Sequence, residues 1–308
     1  MNVYRIKENL YDIRLDFKQT NTRNFLSTWV YKNTDLCFLV DCGPTSTIQS
    51  VKKCLNEIGI HDQDLDFILL THVHIDHAGG VGNLISYFPR AKVICHPKGI
   101  EHLINPKRLW QGSKKTLGIL AKWYGKIKPV PQNRIFFQET IANGKIRVIE
   151  TLGHAPHHQS YLFDQILFIG EAAGTHQLLI NDFYLRPATP PVFDYDTWKL
   201  SVQKLLAEDL VNCRICYPHY GMREDASLMI KNAQHQLSIW FEVIDSFFNI
   251  RNQPDFYEQV ILELIKRDEF FAKNKMMDEE TRKREMIFIR NSIDGIVGYI
   301  KKKKQNNL

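Results

Sequence analysis

The chain has 308 residues, 44% of them hydrophobic and 24% charged, with a formal net charge of +6. That is enough chain for one large core, or a domain with a smaller appendage, and the composition excludes a disordered or fibrous protein. No stretch reaches the ~18 consecutive apolar residues of a membrane span. Charges interrupt MNVYRIKENLYDIRL, where a signal peptide would be apolar, so a cytoplasmic protein without a membrane partner is expected.

In chain order, residues 11–18, 26–33 and 35–41 read as strands, with Asn21 and Asn33-Thr34-Asp35 as turn signals. Residues 45–58 carry helical spacing in Ile48, Val51, Leu55 and Ile58, closed by Gly59. Phe67-Ile68-Leu69-Leu70 is a short apolar strand running straight into Thr71-His72-Val73-His74-Ile75-Asp76-His77. A helix is predicted at about 78–87 and a strand at 92–95. Residues 97–131 read as helices and loop. Strands return at 134–137, 146–152 and 160–170, and a proline-rich loop spans 175–196. A helix at 197–210 and a strand at 213–217 follow. From Glu224 every segment has helical spacing; Leu228, Met229, Ala233, Leu237, Trp240, Phe241 and Ile244 form one stripe. This predicts two parts, an α/β metal-binding domain over 1–223 and a helical extension over 224–308 packed on it.

The six cysteines, the C-x-x-C pair Cys213 and Cys216 included, read as buried thiols. Lys301 to Lys304 read as a solvated tail, and nucleic-acid binding through them is not expected.

His72-x-His74-x-Asp76-His77 carries the chemistry. Alternate residues leaving a strand share a face, so His72 and His74 can hold one divalent ion. Asp76 and His77 come where the chain turns into a helix and face another quadrant, which suits a second ion. Gly79 and Gly80 let backbone pass close to the cluster. Further donors sit at strand ends: His154 after 147–152, Glu171 after 166–170 and His219 after 214–217. Such loop tips on a rigid scaffold are where chemistry is usually placed. Histidine and carboxylate donors without thiolate suit zinc first, with iron or manganese as alternatives.

This order of motifs (H-x-H-x-D-H, T-x-G-H, an acid after F-x-G, a late histidine) resembles the metallo-β-lactamase superfamily, and within it the glyoxalase II-like hydrolases, over about residues 10–223. The resemblance implies a four-layer αββα sandwich and two divalent ions. His72, His74 and His154 would bind the first, Asp76, His77 and His219 the second, and Glu171 would take the place of the bridging carboxylate. His158 would act behind the ligands, and Asp41, in a D-x-G turn, would support them. The chain departs from the family pattern at Leu152 (a frequent proline), His157 (a glycine) and Glu171 (an aspartate).

The implied activity is metal-dependent hydrolysis of a thioester, lactone or related ester, with Asp76 as the catalytic residue aiming a metal-activated hydroxide. A phosphodiesterase, an iron-dependent persulfide dioxygenase and a catalytically silent binding protein are the alternatives. Trp110, Trp123, Tyr124, Phe183, Tyr184 and Arg186 read either as core and helix-packing residues or as the lining of an apolar pocket with one cation around a small-molecule substrate. The helical extension would wall that pocket or form a homodimer contact. His61, His102, His176 and His235 read as surface or packing residues, and His96 stays open between packing and the site.

Overall fold

The structure is a computed structural model that describes residues 2–17 and 22–306; the Asn21 turn signal lies outside them. The chain forms two compact units. The first comprises 1–150, 157–170 and 216–221, and the second 151–156, 171–215 and 222–308. Neither is a single stretch.

The first unit begins with strands β1 (Asn2–Lys7), β2 (Leu10–Phe17), β3 (Thr22–Lys32) and β4 (Cys37–Val40), paired antiparallel. Helix α1 (Ile48–Glu57) buries Ile48, Val51 and Leu55 of the predicted face together with Cys54, while Ile58 is its half-buried C-cap. Strands β5 (Phe67–Leu69) and, after α2 (Ile75–Ala78) and α3 (Val81–Leu84), β6 (Lys92–Ile94) extend the sheet in parallel. The single helix predicted over 78–87 is instead two single turns, broken at Gly79-Gly80. A Cβ at Gly79 would lie 2.2 Å from the Ile75 carbonyl oxygen.

Helices α4 (Pro97–Ile104), α5 (Lys107–Leu117) and α6 (Ile119–Tyr124) follow, and β7 (Ile135–Phe136) completes a seven-stranded sheet. Strands β8 (Thr140–Ile141), β9 (Ile146–Glu150), β10 (Gln159–Phe163) and β11 (Ile166–Phe168) form an antiparallel meander. The strand predicted over 160–170 is thus a hairpin, turned at Asp164 and Gln165, whose φ values are 42° and 57°. Phe38 on the first sheet meets Phe163 and Phe168 on the second edge-on, at 5.2 and 5.9 Å between ring centroids. The core of this unit lies between the two sheets.

The second unit opens with the hairpin β12 (Thr175–Leu179) and β13 (Asp182–Arg186), turned at Asn181 with φ 61°. The expectation of a loop over 175–196 is therefore corrected: only the part after Arg186 is irregular. Then come α7 (Tyr195–Leu206), β14 (Arg214–Cys216), which runs out of this unit into the first, β15 (Met222–Arg223), α8 (Ala226–Ser246), α9 (Phe256–Arg267), α10 (Glu269–Ala272) and α11 (Glu279–Asn306). On α8 the stripe Met229, Ala233, Leu237, Trp240 and Ile244 is buried, whereas Leu228 is exposed. Asp268 ties these helices together. It accepts from Trp240 Nε1 at 2.7 Å and Gln236 Nε2 at 2.8 Å while capping α10. The lysine run 301–304 is the end of α11 rather than a loose tail; Lys304 pairs with Asp245 at 3.1 Å.

Candidate metal centre

In the first unit the proposed ligands leave the carboxyl end of β5, where a parallel sheet opens its loops. The neighbouring strand β4 is followed at once by Asp41, whose backbone N–H donates to the Leu69 carbonyl at 2.9 Å. Asp41 sits at φ 52°, unusual for a residue other than glycine, and this turns its carboxylate onto the segment after β5. One oxygen, Oδ1, accepts the Thr71 backbone N–H at 2.8 Å. The other, Oδ2, accepts the Thr71 hydroxyl at 2.7 Å and faces His77 Nδ1 at 3.1 Å.

These contacts fix two imidazoles. Since Thr71 gives its proton to Asp41, its Oγ1 accepts from His72 Nδ1 at 3.0 Å. His77 Nδ1 likewise donates to Asp41. In both rings Nε2 therefore keeps its lone pair, the form a metal ligand needs. The His72 ring is 4.5 Å from that of His74 and 4.2 Å from that of His77.

His219 arrives from far along the chain, in a tight turn closed by Tyr217 N–H to the Gly221 carbonyl at 3.0 Å. Its strand neighbours hold it: Ser27 N–H donates to the Pro218 carbonyl at 2.7 Å and Trp29 Nε1 to the Tyr217 carbonyl at 2.9 Å. The Phe25 ring meets the His219 ring edge-on at 5.0 Å. Asp76 Oδ2 lies 3.6 Å from His77 Nε2 and 3.7 Å from His219 Nε2. Asp76, His77 and His219 thus present donor atoms within 4.8 Å of one another, which is a metal-sized group.

In the second unit His154 and Glu171 come together, with Nε2 and Oε2 3.0 Å apart. His154 Nδ1 donates to the Ala188 carbonyl at 2.9 Å, which turns Nε2 towards Glu171. Helix α7 fixes both segments. Ser201 Oγ donates to the Leu152 carbonyl at 2.7 Å, and Trp198 Nε1 to the Ala172 carbonyl at 2.8 Å. Gly153, at φ 126°, lies so close to Trp198 that a Cβ would stand 2.4 Å from the Trp198 Cβ.

The remaining residues sort by contact. His158 is buried 5.2 Å from the His72 ring, and a Cβ on Gly170 would come 2.4 Å from its Nε2. His96 caps α4 by accepting from Lys98 N–H at 3.1 Å and meets Glu150 at 2.9 Å, which is a structural role. His176 is buried against Phe183, the packing role expected of it. Of the two readings of Tyr124, Tyr184 and Arg186, core packing holds and the substrate-facing one does not. Tyr124 and Tyr184 are buried, and Tyr124 packs on Phe17 at 5.3 Å. Arg186 is buried against Glu285 and is no cation for a substrate. His102 packs as expected of it, its ring 6.0 Å from that of His157, itself 5.9 Å from that of His74. The six cysteines are buried, and burial pushes the Cys37 thiol up to about 12 and those of Cys42 and Cys95 higher still.

A profile of the metallo-beta-lactamase superfamily matches residues 22–217. The chain belongs to that superfamily. It is 30% identical over 218 residues to a metallo-beta-lactamase fold-containing protein of Sulfurisphaera tokodaii, covering 65% of this chain and 80% of the relative. It is 28% identical over 143 residues to a hydroxyacylglutathione hydrolase of Aeromonas hydrophila, covering 46% of this chain and 44% of that one. The chain thus spans less than half the length of that hydrolase.

Among solved structures, an archaeal superfamily protein from Sulfolobus tokodaii superposes with TM-score 0.62 at 28% identity, covering 74% of this chain and 86% of that one. A family protein from Thermus thermophilus superposes with TM-score 0.64 at 19% identity over 97% and 95% of the two chains, which shows the fold alone. The metallo-β-lactamase fold with a helical C-terminal region, expected from the motifs, is what this superfamily member has. Among the described residues, no helix is long and apolar enough to cross a membrane.

Proposed function

We propose that this superfamily member is a metal-dependent hydrolase acting on a thioester, lactone or related ester. The observation that carries the reading is the gathering of Asp76, His77 and His219, whose donor atoms lie within 4.8 Å of one another. His72, His77 and His154 each engage Nδ1, with Thr71, Asp41 and the Ala188 carbonyl. Such a partner behind the ring is the usual support of a metal-ligating imidazole.

His72, His74 and His154 would hold one divalent ion, and Asp76, His77 and His219 a second, with Glu171 supplying negative charge to one or both. The donors are nitrogen and oxygen only, which fits zinc, iron or manganese. When bound, such ions lower the pKa of a coordinated water to about 7 and polarise an acceptor oxygen. The chain's own residues do the rest. Asp76 accepts a hydrogen bond from the attacking water and so aims it at the acyl carbon. Asp41 keeps His72 and His77 in one tautomer, and the Ala188 carbonyl orients His154. The hydroxyacylglutathione hydrolase relative supports a thioester as the first substrate to try.

The test is elemental analysis of the purified protein together with a panel of thioesters, lactones and phosphodiesters. The expected result is close to two transition-metal ions per chain and turnover of an ester or thioester that Asp76→Ala and His74→Ala abolish without unfolding the chain. No metal under metal-replete conditions overturns the reading. Near wild-type turnover by Asp76→Ala at full occupancy overturns the role given to Asp76.

A further inference from the structure

Residues 102–138 of the first unit contain eight lysines and arginines and no aspartate or glutamate. The whole chain's +6 less these eight leaves all other residues at −2. Seven of the eight, from Lys107 to Lys128, are exposed; the eighth, Arg134, is tied to the Phe88 and Ala91 carbonyls. Among the described residues none of the seven forms an ion pair, whereas exposed lysines elsewhere commonly do, as in Lys199–Asp196, Lys266–Glu263 and Lys283–Glu279. The concentration of unneutralised charge is local and unlike the rest of the surface.

The same stretch exposes apolar surface. Helix α5 buries none of its residues, and only Leu109, Trp110, Ser113 and Leu117, which share one helical face, are even partly covered. Ile119 is 56% exposed, and Leu120 and Trp123 are half-buried. The base is firm: Tyr124 and Ala121 are buried, and Thr45 Oγ1 donates to the Lys126 carbonyl at 3.0 Å. The segment is therefore a fixed ledge that carries lysines and Ile119 to solvent, with Trp110, Leu117, Leu120 and Trp123 partly exposed beside them.

We propose that α5 and α6 form a docking surface for an anionic lipid bilayer. Lysine beside tryptophan and leucine is the composition that lies in a membrane interface, with charge on the headgroups and apolar side chains at the acyl boundary. A nucleic acid is the poorer match. Six of the seven exposed cations are lysine rather than arginine, and Leu117, Ile119 and Leu120 have no partner in a phosphate backbone. Surface adsorption needs no spanning helix. The proposal is independent of the metal chemistry.

The experiment is co-sedimentation of the full chain with phosphatidylcholine vesicles, with and without phosphatidylglycerol, read together with tryptophan fluorescence. Trp29, Trp198 and Trp240 are buried, so a blue shift on adding vesicles reports Trp110 and Trp123. Binding is expected only to the anionic vesicles, with a blue shift, and is weakened by salt. The triple variant Lys114→Gln, Lys115→Gln, Lys122→Gln alters exposed side chains only and should bind on the order of a hundredfold more weakly. Equal binding to both vesicle types, no binding, an unaffected triple variant, or tighter binding to duplex DNA through the same lysines overturns the proposal.

Discussion

Glu285 Oε2 lies 3.1 Å from Arg186 Nε, and both side chains are buried. The guanidinium also donates to Ser292 Oγ at 3.0 Å and to the Pro187 carbonyl at 3.1 Å. Helix α11 thereby grips the segment whose Ala188 carbonyl orients His154. Glu285→Gln leaves a buried cation without its counter-charge and is expected to cost about 3–5 kcal/mol of stability. Replacing both partners, Arg186→Met with Glu285→Leu, should cost less. Urea unfolding of the two proteins checks the order.

Gly295 faces the same segment, and a Cβ there would stand 2.1 Å from the Thr189 carbonyl oxygen. Gly295→Ala must push backbone apart and should destabilise by about 1–3 kcal/mol. At Gly298 the nearest atom is 3.6 Å away, so Gly298→Ala should be neutral or stabilising through helix propensity. Thermal midpoints that move together for the two variants would refute this account of the packing.

Asp41→Asn keeps the shape of the side chain but offers its amide where Oδ1 or Oδ2 must accept. One of the contacts to Thr71 and His77 is then lost. Metal affinity is expected to fall about 10–100-fold, the usual effect of removing a group that orients ligands. Competition against a chromophoric chelator measures it; an unchanged affinity contradicts the tautomer argument.

At Glu171, Asp should keep activity within about tenfold and Gln should lose considerably more, tenfold being ~1.4 kcal/mol of barrier. Aspartate keeps the charge beside His154 Nε2, which the structure holds 3.0 Å away, and the amide cannot. Turnover and metal stoichiometry of both variants decide the matter. Equal behaviour of Asp and Gln removes Glu171 from the site.

Alkaline pH should destabilise the protein. The Cys37 thiol is raised from 9.0 to about 12 by burial, with Asp66 adding to the shift. The folded chain therefore keeps a proton that the unfolded chain releases above about pH 9. The stabilisation is full below the unfolded value and is lost as pH rises towards 12, at about 1.4 kcal/mol per pH unit for each such thiol. Denaturant midpoints from pH 8 to 11 should fall, and Cys37→Ala should flatten the slope.

Much of the site was legible in sequence because its spacing is local. His72, His74, Asp76 and His77 fall within six residues, and β5 before them is an uninterrupted apolar run. The support behind them was only partly legible. Asp41 stood out through its D-x-G turn, but its two-handed contact with Thr71 and His77 depends on β4 and β5 lying in parallel register. Arg186 stayed open between packing and a binding-site cation for the same reason: nothing near it announces a counter-ion ninety-nine residues later. The hairpin β12–β13 escaped notice because Leu178 and Leu179 break the alternation, and the turn carries Ile180, which is 87% exposed.

The six residues Cys216–Gly221 belong to the first unit, although most of the second unit's opening segments precede them in the chain. Ser27 and Trp29 find their backbone partners there, at Pro218 and Tyr217. During synthesis the Ser27 and Trp29 donors are therefore expected to stay with water until the segment up to residue 221 is available. Closure over such a separation is slow and leaves strand edges open to other chains in the interval. A truncation before residue 216 should give an aggregating product rather than a smaller folded one, and slowed translation between residues 150 and 221 should lower the soluble yield.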